Sequence, residues 1–108
     1  MTVEDDQLVR AVDRLVNQIG HWTPARWAVP GAAGGPTRAE IVHALAQRLA
    51  DLEADVTGRP GLPVPRLAND LVLPDQVRVM TLDLVRVRPG PAVLAAALDA
   101  VTATRHRL

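Results

Sequence analysis

The sequence predicts an all-α fold, a small antiparallel four-helix bundle with an extra short helical turn after the first helix. Three observations predict it. Apolar residues recur at helical spacing in four segments, each segment opens on residues that favour a helix start, and Pro/Gly-rich stretches separate them. The breaks are Ala28–Pro36 (AVPGAAGGP), Arg59–Arg66 (RPGLPVPR) and the tight Pro89-Gly90-Pro91. A chain of 108 residues suits one domain that buries about two-thirds of its unfolded surface.

The first helix is expected over residues 3–19. Thr2 is its N-cap, Glu4, Asp5 and Asp6 favour the positive end of the dipole, and Gly20 takes the position after the end. At 100° per residue Leu8, Val12, Leu15 and Ile19 fall within about 60°. Residues 24–28 form the extra turn, with Thr23 as N-cap and Pro24 at the first helical position. Trp22 then precedes the cap and Trp27 sits in the first turn, the spacing of a hydrophobic staple.

Residues 38–56 carry the cleanest amphipathic stripe. Thr37 and Glu40 have the spacing of a capping box, and Gly58 follows the end. Residues 74–87 are ambiguous, because Val77-Arg78-Val79 and Leu82-Asp83-Leu84 alternate as strands do. That alternation slips twice, whereas a helical register holds Leu73, Val77, Met80, Leu84 and Val87 within about 80°. A helix is therefore expected, with Val79, Leu82 and Val85 spread over its back. Such a helix demands cover on both sides, from its own bundle or from a second subunit. The last helix, residues 91–106, opens on Pro91, and Arg105, His106 and Arg107 complement its negative end.

Composition narrows function. The apolar set is 17 Ala, 15 Val and 14 Leu, with Trp22 and Trp27 the sole aromatics, so the core must be aliphatic. Such a core gives modest net stability, to which dimerisation would add. Twelve arginines balance twelve carboxylates and no basic block stands out, so no nucleic-acid partner is expected. The longest apolar run, Ala92–Leu98, is far short of the roughly 20 residues of a membrane span. An acidic N-terminal stretch does not read as a secretory signal, and a cytoplasmic location is expected. Arginine as the only long-chain cation, with abundant Ala, Val, Gly and Pro, points to a GC-rich bacterial coding sequence.

Catalytic chemistry finds no foothold. The chain lacks Cys, Ser and Lys, which removes thiolate sites, serine nucleophiles and a phosphate-binding loop at Gly31–Gly35. His21, His43 and His106 have no partner histidine at ligand spacing, so neither a metal nor another cofactor is expected. His43 falls on the polar face of its helix and reads as solvated. Asp83 and Arg86 are spaced for a structural ion pair or an interface contact. Arg59–Arg66 has polyproline II character and reads as a stiff linker.

Two interaction surfaces remain. One is the self-association stripe of Val79, Leu82 and Val85. The other is His21, Trp22, Arg26 and Trp27, residue types common in interface hot spots and ligand clefts. The expected function is a non-catalytic helical protein acting through protein contacts, as a homodimer or on another protein. A small-ligand regulator using the His21–Trp27 segment is the alternative. A DNA-binding regulator comes third, because the helix after Pro91 lacks polar side chains for reading bases.

Overall fold

The computed structural model describes residues 2–108 and is all α-helical. The helices are α1 (Val3–Ile19), α2 (Pro24–Trp27), α3 (Arg38–Thr57), α4 (Leu73–Arg86) and α5 (Pro91–Arg107), with a 3-10 turn at Asp70–Val72 leading into α4. Residues 77–87, the ambiguous stretch, are helical up to Arg86. Among the described residues no helix is long and apolar enough to cross a membrane.

The caps explain the helix starts. Thr2 Oγ1 accepts from the Asp5 amide at 3.1 Å and Asp5 Oδ2 accepts from the Thr2 amide at 3.0 Å, a reciprocal capping box. At α3 only half of that device forms. Thr37 Oγ1 accepts from the Glu40 amide, but the return bond runs from the Thr37 hydroxyl to Glu40 Oε1. Gly58 ends α3 at φ 69°, the left-handed conformation that glycine adopts without strain. Gly20 ends α1 still in right-handed geometry, so its glycine is not used for that purpose.

Each long helix contributes one face to a single aliphatic core that includes Leu8, Leu15, Leu49, Leu73, Leu84 and Val101. Around the bundle the neighbours are α1–α4, α4–α3, α3–α5 and α5–α1. Thr81 and Thr104 are buried in this core, and each hydroxyl donates to the carbonyl four residues back at 2.8 Å.

Helix direction departs in part from the all-antiparallel expectation. The start of α1 and the end of α4 line one cavity, with Thr2 and Asp5 facing Val85 and Arg86, so these two helices are antiparallel. The start of α3 lies beside the end of α5, joined by Arg38 Nε donating to the Leu108 main-chain oxygen. That pair is antiparallel too. But α3 and α4 begin at the same end of the bundle: His43 and Gln76, both near their helix starts, bond Val64 and Pro65 of one intervening segment. They run parallel, and the chain must return along the bundle between them.

The Pro-rich linker makes that return. At about 1.5 Å per residue α3 is about 30 Å long, which about ten residues of extended chain at about 3.1 Å each can span. The connection from Gly58 to Asn69 supplies twelve. It is strapped to α3 on the way. Gln47 Oε1 accepts from the Val64 amide at 2.7 Å, its Nε2 donates to the Leu62 carbonyl at 3.1 Å, and His43 Nε2 donates to the Val64 carbonyl at 2.9 Å. Val64 itself is buried in the core. His43 is thus half-buried and bonded, not solvated, because the strap covers the polar face on which the sequence places it.

Candidate functional site

The first candidate, the segment His21–Trp27, folds as a staple. Thr23 Oγ1 caps α2 through the Arg26 amide, and Pro24 fixes the first helical φ. Trp22 and Trp27 then meet edge to face, with ring centroids 5.0 Å apart and planes at 70°. Trp27 is fully buried and Trp22 is 4% exposed. The guanidinium carbons of Arg26 and Arg38 each lie 5.0 Å from the centre of the Trp22 ring, a pair of cation–π contacts.

Arg38 was not foreseen at this corner. It also donates to the Arg26 carbonyl at 3.4 Å, so one side chain joins α2, the start of α3 and the end of α5. Its only signal in the sequence is its place at the first position of a helix that follows a glycine-rich loop. That loop closes the same end: the Ala32 amide donates to the Arg107 carbonyl at 2.7 Å. Gly31 lets it approach so closely, since a Cβ there would lie 2.6 Å from the Arg107 oxygen. His21 is exposed and does not join the indoles. The structure therefore brings Trp22, Arg26 and Trp27 together and leaves His21 apart, with the aromatic faces turned inward. The Trp22 indole Nε1–H is buried without an acceptor among the described residues.

The second candidate is α4. Its inner face, Leu73, Val77 and Leu84, is fully buried between α1 and α3. Val85 is half-buried against the same core, so it parts company with the stripe to which the sequence assigned it. Val79 and Leu82 face solvent at 48% and 52% exposure. The bundle covers α4 on one side only. Asp83 and Arg86 do not pair; the ion pairs among the described residues are Arg66–Asp70 at 2.8 Å and Arg78–Asp13 at 3.4 Å.

A cavity of about 550 Å³ lies between the start of α1 and the end of α4, lined by Thr2, Asp5, Val85, Arg86, Arg88 and Pro89. Asp5 Oδ1 is buried there without a hydrogen-bond partner among the described residues. No group of three or more His, Asp or Glu among the described residues is placed to hold a metal ion. Comparison with known proteins finds no matching protein family, no similar curated protein and no similar solved structure.

Proposed function

We propose that this protein is a non-catalytic helical protein that works through protein–protein contacts, with self-association as its primary mode. The observation that carries the reading is the outer face of α4, where Val79 and Leu82 are about half exposed on a regular, well-anchored helix. A rigid helix presenting adjacent apolar side chains is what a helical partner recognises. The tryptophans support the same reading from the other side: with both indoles buried against the bundle the exposed apolar surface is aliphatic, and of the exposed large aliphatic side chains, which include Val3, Leu62, Leu67 and Leu71, Val79 and Leu82 are the pair that shares one face of a long helix. A cytoplasmic, bacterial setting belongs to this proposal and rests on composition.

Sedimentation equilibrium tests it. The weight-average mass is expected to rise above that of the monomer as concentration passes through the micromolar range. A constant monomer mass well above that range overturns the self-association reading.

A further inference from the structure

The outer face of α4 has an internal symmetry that identifies its occupant. Asp75, Val79, Leu82 and Arg86 are spaced four, three and four residues apart and fall within about 60° of one another at 100° per residue. All four are exposed. Val79 and Leu82 lie equally far on either side of the Met80–Thr81 peptide, and so do Asp75 and Arg86. Among the described residues neither Asp75 nor Arg86 forms an ion pair.

Resting on the self-association reading above, we infer that a second copy of this chain docks α4 against α4 in antiparallel register, about a two-fold axis passing beside the Met80–Thr81 peptide. In that register Val79 meets Leu82 of the second copy, and Asp75 meets Arg86 of the second copy, each pairing occurring twice, as a two-fold contact requires. The apolar pairs form the centre and the ion pairs the rim, the usual arrangement of an interface. Charge selects the direction. A parallel pairing sets Asp75 against Asp75 and Arg86 against Arg86, four like charges at the contact, whereas the antiparallel pairing turns all of them into opposite-charge neighbours. Asp75 near the start of α4 and Arg86 near its end also complement the helix dipole, and antiparallel docking keeps that benefit in both copies.

A contact built on one helix pair falls near or below the lower bound of about 1,200 Å² for stable interfaces, so the dimer belongs to the weak, reversible class.

The test is charge exchange read by sedimentation equilibrium, with far-ultraviolet circular dichroism confirming that each variant keeps its helix content. D75R alone and R86D alone each place like charges at both rims and are expected to weaken the dimer about 5- to 30-fold. Mixing the two variants sets a chain with arginine at both rim positions against a chain with aspartate at both, and a heterodimer of near wild-type affinity is expected. The double variant D75R/R86D restores the homodimer. A wild-type dimer indifferent to both reversals, or a mixture that stays as weak as its components, overturns the register while leaving self-association standing. A monomeric wild type overturns both, and hands the α4 face to a different protein.

Discussion

The Trp22–Trp27 corner and the outer face of α4 make opposite use of residues that look alike in a sequence. At the corner, the only aromatic side chains of the chain turn inward, and Arg38 ties three elements over them. On α4, valine and leucine stand in solvent although the same helix buries Leu73, Val77 and Leu84 completely. An aromatic cluster in a loop is therefore part of the fold here, and an aliphatic pair in a helix is left exposed. What separates them is neighbours: the corner is closed by chain-distant contacts, while on the far side of α4 Val79 and Leu82 are left about half exposed.

The largest expected effect distinguishes the two directly. Trp27→Ala leaves a large void at the closed end and should cost about 3–5 kcal/mol in chemical denaturation. Leu82→Ala on the open face should change stability by no more than about 0.5 kcal/mol and instead reduce dimerisation. Equal destabilisation by the two would break the comparison. A middle-sized effect is expected at the strap. Gln47→Ala leaves the Val64 amide without its acceptor and should cost about 1–3 kcal/mol, with faster exchange of the Val64 amide.

A small effect of the opposite sign is expected at the end of α4. Arg88 follows α4 at φ 52°, the left-handed region that Gly58 occupies after α3. Arg88→Gly should raise the denaturation midpoint by an amount worth about 0.5–1 kcal/mol. A loss of stability would show that the Arg88 side chain holds the end of α4 in place.

The helices were legible because their signals are local. Thr2, Thr23 and Thr37 each precede a helix and cap it, and the stripe Leu8, Val12, Leu15 and Ile19 is buried as its spacing requires. Even the β-branched run of α4 yields to periodicity, since a helical register continues where the alternation slips. The path of the chain was less legible. Nothing in Arg59–Arg66 says on which helix it will lie, so His43 read as solvated and α3 and α4 as antiparallel; both follow from a strap whose partners are distant in sequence. The corner was half legible. The staple spacing of Trp22 and Trp27 was visible, but Arg38 reaches Trp22 only once α2 and α3 are folded. On α4, the exposed stripe was visible as an excess of apolar residues. Its membership required the core, which takes Val85 and leaves Val79 and Leu82.

A heteronuclear NMR dilution series tests the central claim most directly, because it reports on every amide at once. Concentration-dependent shifts centred on Asp75, Val79, Leu82 and Arg86 are expected, with the amides of Trp22 and Trp27 unmoved. Shifts centred on the tryptophan corner, or spectra unchanged from micromolar to millimolar protein, would contradict it.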